Sequence, residues 1–363
     1  MFAAAAIFSS CQKGNNTNYV QRNKVVILNQ GNYTEQNASV SVYDEDTRDL
    51  TPNAYSKSNN GTKLGATLMS GTYSSAGAGY LLCSNPDKIE SINIITMKSL
   101  GNAYSSGLEN AREITIGGNY LFVTNAGFEY TDLGTGFYEY TNSFVSIYDI
   151  SSYMPNYVTK IDVGSDAQGI ICFENKVLVA TKQGIVTIEK DGSDFVKGNV
   201  YADPVYTGAV KYLCAGTNNR IYASVPDAGG ILVFDPYDEK VIDRYQMPLS
   251  YDGYITSDTN GYVYSYATKY AADWSVESSD VYKMDLSGNV SKVVTGENIY
   301  SVGVSSYSGN LFSSEANGFT SNSIMTVTNM HNDTQVATKT TGVGTFRYLF
   351  FSYLDVETAE PAE

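Results

Sequence analysis

One pattern recurs seven times along the chain: a short apolar strand that opens near Gly or Asn, a polar loop, and a second strand of alternating character. The first members of these pairs are KVVILNQG, GYLLCSN, NYLFVTN, NKVLVAT, NRIYASV, GYVYSYA and GNLFSSE. The second members are ASVSVYD, DKIESINI, SFVSIYD, GIVTIEK, GILVFDP, SDVYKMD and SIMTVTN. Such repetition indicates an all-β repeat protein, in which each unit buries its apolar faces against its neighbours.

Two further strands accompany most of the pairs. A third strand usually follows, as in YVTKIDVG and EKVIDRYQM, and a fourth precedes the pair, as in AREITIGG and VKYLCAG. The spacing of the units is close to the ~40–50 residues of a four-stranded propeller blade. A β-helix needs shorter and more regular repeats, and a β-sandwich would not give seven equivalent units. We therefore predict a seven-bladed β-propeller of four-stranded antiparallel blades.

The two ends of the chain predict how the ring closes. The first unit begins directly with KVVILNQG, whereas TTGVGTFRYLFFSYLD leaves one surplus strand at the other end. Residues 344–352 are expected to join the first blade as its innermost strand, which removes an open sheet edge. Several second strands end in an acid whose side chain is expected to organise the following turn. These acids are Asp44, Asp149, Asp235 and Asp285.

Composition agrees with a β protein and argues against some functions. The chain has 31 Tyr and 32 Gly but only 8 Pro, and 17% of its 363 residues are charged, which is not typical of a disordered protein. Its formal net charge is −15 and no cluster of Lys and Arg is present, which argues against binding to nucleic acid or to anionic lipid. Cys83, Cys172 and Cys214 lie in apolar, strand-like contexts, so buried free thiols are expected.

The N-terminus, MFAAAAIFSSCQKGNN, combines a short apolar run and small residues with Cys11. This order is typical of a bacterial lipoprotein signal in which the cysteine is lipidated; a cleaved secretory signal or an apolar tail is the alternative. We expect a signal over residues 1–11, a flexible tether over 12–22, one propeller over 23–355 and a disordered tail over 356–363. No other segment has the ~18 apolar residues that a membrane-spanning helix needs. The protein is therefore expected to be exported and tethered at one end.

The stretch NKVVILNQGNYTEQNASVSVYD, followed by KLG and DKIESINI, resembles the opening of the exported YncE-like propeller lipoproteins of bacterial outer membranes. The resemblance extends over most of the chain and rests on the order of its strands. It implies a non-enzymatic protein on the cell surface or the periplasmic face, which captures a small-molecule nutrient for a TonB-dependent transporter. Characterised members include proteins that capture cobalamin, and many others have no known ligand, so a cobalamin-like corrinoid is the best specific guess that the resemblance implies. Surface-exported members often have acidic residues after the lipidated cysteine, whereas Gln12 and Lys13 follow here.

Long loops predict where a ligand binds. In a four-stranded meander, the connection between the second and third strands lies on the same rim as the connection between blades. The long loops fall mostly on that rim: 29–37, 127–143, 267–278 and 315–322. Their Tyr and Trp side chains combine a rigid ring with a polar tip, which suits corrinoids, glycans and partner loops alike. The predicted ligand-binding residues are Tyr33, Arg112, Phe128, Tyr130, Phe137, Tyr138, Tyr140, Tyr270, Trp274 and Phe319.

Several alternatives stay open at this point. Each ring could instead pack against the blades, and Arg112 could reach an anionic ligand group or pair with Glu109 or Glu113. His331 is the only histidine and lies in a turn sequence, so neither Ser–His–Asp catalysis nor a His-based zinc site is supported. We therefore predict no enzyme activity, no metal and no cofactor. The alternative functions are protein–protein interaction within an envelope complex and glycan binding.

Overall fold

The computed structural model of the chain describes residues 18–134, 138–273 and 275–356. Cys11, Phe137 and Trp274 lie outside these residues, as do the predicted signal and nearly all of the predicted tail. The described part contains 29 strands and two short helices, the α-helix Ala54–Ser58 and the 3-10 helix Pro226–Ala228. Within it, no helix has the length and apolar character needed to cross a membrane.

Seven antiparallel sheets follow one another along the chain. Sheet 1 contains β1 (Tyr19–Asn29), β2 (Ser39–Asp44), β3 (Leu50–Thr51) and β29 (Thr345–Val356), in the order β29-β1-β2-β3. Sheet 2 contains β4 (Thr67–Tyr73), β5 (Ala78–Ser84) and β6 (Lys88–Asn93). Residues 99–104 take the fourth position of sheet 2, because they bridge β6 at Ile92↔Ser99 and Ile89↔Tyr104.

Sheet 3 contains β7 (Ala111–Gly117), β8 (Tyr120–Asn125), β11 (Ser143–Asp149) and β12 (Asn156–Gly164). Between β8 and β11, β9 (Tyr130–Asp132) and β10 (Tyr138–Tyr140) form a separate two-stranded hairpin. Sheet 4 contains β13 (Ile170–Phe173), β14 (Lys176–Thr181), β15 (Gly184–Asp191) and β16 (Asp194–Tyr201).

The last three sheets repeat the same meander. Sheet 5 contains β17 (Leu213–Ala215), β18 (Ile221–Val225), β19 (Gly230–Asp235) and β20 (Lys240–Gln246). Sheet 6 contains β21 (Ile255–Ser257), β22 (Val263–Tyr270), β23 (Val276–Met284) and β24 (Val290–Gly296). Sheet 7 contains β25 (Ile299–Val304), β26 (Asn310–Glu315), β27 (Asn322–Asn329) and β28 (Thr334–Val343). The predicted all-β class with four-stranded antiparallel sheets is confirmed.

The strands are apolar on both faces because each sheet packs between two others. In β1, Val25 and Ile27 share a buried cluster with Phe312 of sheet 7. Leu28 instead shares a cluster with Leu81 of sheet 2. Successive side chains of a strand point to opposite faces, so one strand supplies two cores.

One strand at the edge of each sheet meets its counterpart in the next sheet. We call β29, β4, β7, β13, β17, β21 and β25 the first strands. Each contacts the first strand of the following sheet, and β25 of sheet 7 contacts β29 of sheet 1. A cavity lies among these first strands.

The segment predicted to join the first sheet, residues 344–352, lies within β29 apart from Gly344. This strand pairs with β1 from Tyr19↔Val356 to Asn29↔Thr345. Residues 19–22 are therefore paired strand and not part of a tether over 12–22, so that boundary is wrong. Pairing continues this far because β29 extends beyond Phe351, and its backbone would otherwise leave an open edge.

The four predicted turn acids are confirmed. Asp235 Oδ1 accepts hydrogen bonds from the backbone N–H groups of Tyr237 and Asp238, at 2.9 and 3.1 Å. Asp44, Asp149 and Asp285 accept equivalent bonds after their own strands. An acid stands at these positions because its short side chain accepts hydrogen bonds from the backbone N–H groups of the turn.

The three cysteines of the described residues are free thiols, as predicted. Cys83 and Cys214 are buried and Cys172 is half-buried. Burial raises the pKa of the Cys83 and Cys214 thiols to about 12, so neither is ionised near neutral pH. These cysteines contribute packing.

Candidate functional site

The connections between the second and third strands of several sheets meet on one side of the molecule, which we call the long-loop rim. Three contacts join these connections between neighbouring sheets: Asn32 with the carbonyl of Phe319, Asn85 with the carbonyl of Tyr33, and Lys182 with Glu139. The predicted loop 267–278 is mostly strand, because β22 continues to Tyr270 and β23 begins at Val276. Pairing between these two strands satisfies backbone N–H and C=O groups that would otherwise form hydrogen bonds with water.

The β9–β10 hairpin carries an array of three tyrosines on one face. Tyr140 is paired directly with Tyr130 across the hairpin, and Tyr138 is two residues from Tyr140, so all three rings share a side. The ring centroids of Tyr130 and Tyr138 are 4.8 Å apart, and those of Tyr130 and Tyr140 are 6.2 Å apart, both edge to face. Tyr130 and Tyr138 are 56% and 50% exposed, so the outer part of the array faces solvent.

Hydrogen bonds hold the hairpin in place. The carboxylate of Asp166 accepts a bond from the N–H of Tyr140 at 3.1 Å, and the Asp166 N–H donates to the Tyr140 carbonyl at 2.9 Å. On the opposite face of the hairpin, Glu139 forms an ion pair with Lys182 at 2.5 Å. The tyrosine array is thus attached to the connection between sheets 3 and 4 at one side and to sheet 4 at the other.

Arg112 lies at the inner end of the array. The pairing of β7 with β8 skips from Ala111 to Glu113, so Arg112 is the extra residue of a β-bulge, a feature that re-aims a side chain. Its guanidinium carbon is 5.3 Å from the centroid of the Tyr140 ring. Its Nε is buried and has no hydrogen-bond partner among the described residues.

The alternative for Arg112, a pairing with Glu109 or Glu113, is not found in the described part of the chain. Glu113 lies 3.8 Å from Arg347 instead. Arg112 therefore keeps donor capacity beneath the tyrosine array. A buried N–H without a partner costs about 1–3 kcal/mol, which a ligand oxygen or an ordered water would offset.

A groove of about 520 Å³ lies at the base of the hairpin, beside the array. Its walls include Phe128, which is 68% exposed, and the acids Glu109, Glu129 and Asp162. Lys160 lines the same groove, with its ammonium 4.4 Å from the Phe144 ring centroid. The groove combines apolar surface with charges of both signs, and the predicted residue Phe128 borders it.

The structure gathers Arg112, Tyr130, Tyr138 and Tyr140 into one array. Phe128 borders the groove beside the array, Tyr33, Tyr270 and Phe319 lie on other sheets, and Phe137 and Trp274 lie outside the described residues. Tyr33, 68% exposed, is in the loop after β1, and Tyr270 ends β22. Phe319 is half-buried and packs edge to face on Tyr300 at 5.0 Å, so its ring already has a packing role.

Gly127 sets the geometry at the base of the hairpin. Its φ is +80°, and a Cβ at this position would lie 2.8 Å from the carbonyl oxygen of Asn142. We expect Gly127→Ala to lower the free energy of unfolding by about 1–2 kcal/mol for the positive φ alone, and by more because of the clash. Gly118→Ala is the matched control, because Gly118 also has a positive φ, +59°, but nothing lies within 4 Å of its added Cβ. Urea denaturation of both variants measures the difference; equal losses would show that the close approach of Asn142 carries no cost.

A second site lies among the first strands, in a cavity of about 290 Å³ that we call the first-strand cavity. Residues from sheets 1 to 6 line it, among them Arg347 of β29, Glu113 of β7, and Tyr212 and Tyr254 at the starts of β17 and β21. The Arg347 guanidinium carbon is 3.6 Å from the Tyr254 ring centroid and 4.9 Å from that of Tyr212. This cavity therefore contains a buried cation stacked on aromatic faces.

Glu113 is the acidic partner in this cavity. One carboxylate oxygen accepts a hydrogen bond from the Ser70 hydroxyl, and the other lies 3.8 Å from Arg347 Nη2. Burial raises the pKa of Glu113 to about 7, although the nearby Arg347 acts to lower it. Desolvation therefore outweighs the attraction to Arg347 for this carboxyl.

Sequence reasoning missed these four residues, although a signal was present. Arg347 is the one charge in the stretch TFRYLFFSYL, and a lone charge in an apolar stretch is unusual unless it has a partner. Glu113, Tyr212 and Tyr254 stand near the starts of their first strands and each precedes a buried aliphatic residue. Aligning the first strands of the repeat would have placed them side by side.

Support for a metal site does not emerge from the described residues. No group of three or more His, Cys, Asp or Glu side chains there could hold a metal ion. His331 is exposed in the turn after β27.

No protein-family model and no curated protein sequence matches this chain. Solved structures do. Hydrazine synthase of Kuenenia stuttgartiensis is 13% identical, with a TM-score of 0.60 over 76% of this chain and 87% of that one. A protein from Lactobacillus plantarum is 10% identical, with a TM-score of 0.61 over 91% and 99%. Apo AztD from Citrobacter koseri is 11% identical, with a TM-score of 0.57 over 93% and 100%.

Identities this low carry the fold and no function. One of these three proteins, hydrazine synthase, is an enzyme, so the predicted lack of enzyme activity stays a prediction. Cobalamin capture has no support among these neighbours. Membership of the YncE-like lipoprotein family is likewise not established. The neighbours are β-propeller-like proteins, and together with the repeated antiparallel sheets they establish that this chain has a β-propeller fold.

Proposed function

We propose that this protein is a non-enzymatic ligand-binding protein of the cell envelope, and that its ligand binds on the long-loop rim at the tyrosine array of the β9–β10 hairpin. The observation that carries the proposal is the combination of Arg112, with its buried unpartnered Nε, and the exposed rings of Tyr130 and Tyr138. Such a surface suits a ligand with a flat, hydrogen-bonding face and an anionic or strongly polar group.

We further propose that the scaffold is a closed propeller of seven blades. Three observations favour this arrangement. The first strands contact one another in sequence from sheet 1 to sheet 7 and back to sheet 1. Buried clusters lie between each pair of successive sheets, including sheets 7 and 1. β29 also pairs with β1, which removes a free edge from sheet 1.

The cellular setting is part of the proposal. An anchor at Cys11 in the outer membrane would hold the long-loop rim near a TonB-dependent transporter, to which a captured nutrient could pass. A cobalamin-like corrinoid is the first ligand to test, and it rests on the sequence resemblance alone. Its flat ring, amide groups and phosphate match the chemistry of the array.

Calorimetric titration of the full chain with cyanocobalamin, and then with a panel of oligosaccharides, tests this function. Tyr138→Ala is expected to weaken binding roughly three- to tenfold, the effect of one aromatic contact. Arg112→Gln is expected to weaken it by more than about tenfold if the guanidinium bonds an anionic group. Tyr237→Ala is the matched control, because Tyr237 is 54% exposed but lies in the turn between β19 and β20 on the opposite rim. Equal weakening by Tyr237→Ala would contradict the proposed site.

A second candidate function is protein–protein interaction through the same rim. It is favoured by the exposure of Tyr33 and Phe128, both 68%, because exposed aromatic residues are typical of interface hot spots. Two results together would favour this function. Neither cyanocobalamin nor the oligosaccharides would give any heat of binding, and the protein would form a specific complex with an outer-membrane transporter that Tyr138→Ala disrupts.

A further inference from the structure

We propose that the first-strand cavity is a second binding site, which takes a small carboxylate on the guanidinium of Arg347. This inference does not depend on the tyrosine array. It rests on three features of the cavity: the contacts of the Arg347 guanidinium, the N–H groups of that guanidinium that Glu113 does not bond, and the size and lining of the cavity.

Arg347 is packed against two tyrosine rings. Its guanidinium carbon lies 3.6 Å from the Tyr254 ring centroid and 4.9 Å from that of Tyr212, and the two centroids are 5.4 Å apart, so the rings lie on adjoining sides of the guanidinium and not on its two opposite faces. Among the described residues, the guanidinium donates one hydrogen bond, from Nη1 to the Phe346 carbonyl at 3.0 Å. The remaining in-plane N–H groups match the fork of a carboxylate, which arginine binds in a bidentate manner.

The Glu113 carboxylate lies near the Arg347 guanidinium but too far from it for a hydrogen bond. Its Oε2 lies 3.8 Å from Nη2, which is longer than a hydrogen bond, and its Oε1 is engaged by Ser70. A carboxylate that enters the cavity can therefore bond Arg347 directly. When Glu113 is protonated, it no longer competes as an anion and can donate its own hydrogen bond to the same ligand.

The size and walls of the cavity limit the ligand. About 290 Å³ is available, and Ile171 and Leu349 supply apolar wall while Thr256 supplies a hydroxyl. A carboxylate with a short apolar body fits this combination, because about 290 Å³ lies at the lower end of the roughly 300–1,000 Å³ of ligand pockets. The ligand class is therefore a small monocarboxylate.

The charged and titratable groups around Arg347 are Glu113, Tyr212, Tyr254, Tyr266 and Tyr300, with Asp252 acting on it electrostatically. Burial raises the pKa of Tyr266 and that of Tyr300. Burial raises the pKa of Tyr212 and Tyr254, so both remain neutral near pH 7. Burial also brings the pKa of Glu113 to about 7. Binding is thus expected to take up a proton at Glu113 and to tighten as the pH falls.

Titration calorimetry with sodium benzoate, and with benzamide as the uncharged isostere, tests the proposal on the full chain. We expect benzoate to bind roughly tenfold more tightly at about pH 6 than at about pH 8, as the protonated fraction of a group with pKa near 7 requires, and benzamide not to bind. Glu113→Gln should bind benzoate equally at both pH values. Arg347→Lys should weaken binding, because lysine lacks the planar fork.

The outcomes separate this site from the rim. Arg112→Gln should leave benzoate binding unchanged, whereas a loss there would assign the ligand to the rim and overturn the proposal. Equal binding of benzoate and benzamide, or no benzoate heat with either the wild type or Glu113→Gln, would also overturn it. The titrations of the wild type and of Glu113→Gln with benzoate test the proposal even if Arg347→Lys fails to fold.

Discussion

Truncation of the chain after Val343 is expected to abolish cooperative folding. This change removes β29, which carries the buried side chains Phe346, Tyr348 and Phe351 and pairs with the whole length of β1. Loss of one buried aromatic side chain costs about 3–5 kcal/mol, and total domain stability is about 5–15 kcal/mol. Three such losses amount to about 9–15 kcal/mol, which is as large as the whole stability before the exposed strand edge is counted.

The control for this prediction is truncation after Val356, which keeps every described strand. Thermal unfolding followed by circular dichroism, with size-exclusion chromatography, distinguishes the two chains. The longer chain should melt as the wild type does, and the shorter one should aggregate or unfold without a sharp transition. A soluble monomer ending at Val343 that melts cooperatively near the wild-type temperature would contradict the closed arrangement.

The second large effect concerns Glu113 and pH. Its pKa is raised to about 7 in the folded protein from an ordinary value of 4.5, so the folded state binds more protons than the unfolded state between these values. The stability associated with the protonated carboxyl is present at low pH and is lost as pH rises through about 7. The ionised side chain then costs up to about 3 kcal/mol, since each pKa unit corresponds to ~1.4 kcal/mol.

Glu113→Gln is therefore expected to be more stable than the wild type at about pH 8, with a difference that shrinks toward about pH 5. Urea denaturation at several pH values measures this difference. Glu297→Gln, which changes an exposed acid, is the control and should leave the pH dependence of the wild type unchanged. If Glu113→Gln is less stable than the wild type, and this loss of stability grows as the pH rises, then the attraction of Glu113 to Arg347 outweighs the cost of its burial.

Much of the fold could be predicted from the sequence because it is encoded locally. The alternation in KVVILN and the acid at the end of SVYD specify a strand pair and its turn without reference to the rest of the chain. The role of β29 could be predicted because a strand was missing at one end and in surplus at the other. The start of β1 at Tyr19 could not, since it depends on how far β29 extends.

The candidate sites were predictable only in part. Tyr130, Tyr138 and Tyr140 could be found because they share one loop, although the sequence did not reveal that this loop is a hairpin with all three rings on one face. The pairing of Arg347 with Glu113 joins residues more than two hundred positions apart, and their meeting depends on which first strands are neighbours. The orientation of Arg112 is also non-local, because the bulge that directs its side chain toward Tyr140 depends on how β7 pairs with β8.

The central claim is that this protein binds through its long-loop rim, and residue-resolved hydroxyl-radical footprinting tests it most directly. The full chain would be footprinted alone and with a soluble and detergent-solubilised extract of bacterial envelope. Tyr130 and Tyr138 on the long-loop rim should become protected, whereas Tyr153 and Tyr237, of similar exposure at 52% and 54% but in turns of the opposite rim, should not. Protection confined to Tyr153 and Tyr237, or equal on the two rims, would contradict the claim.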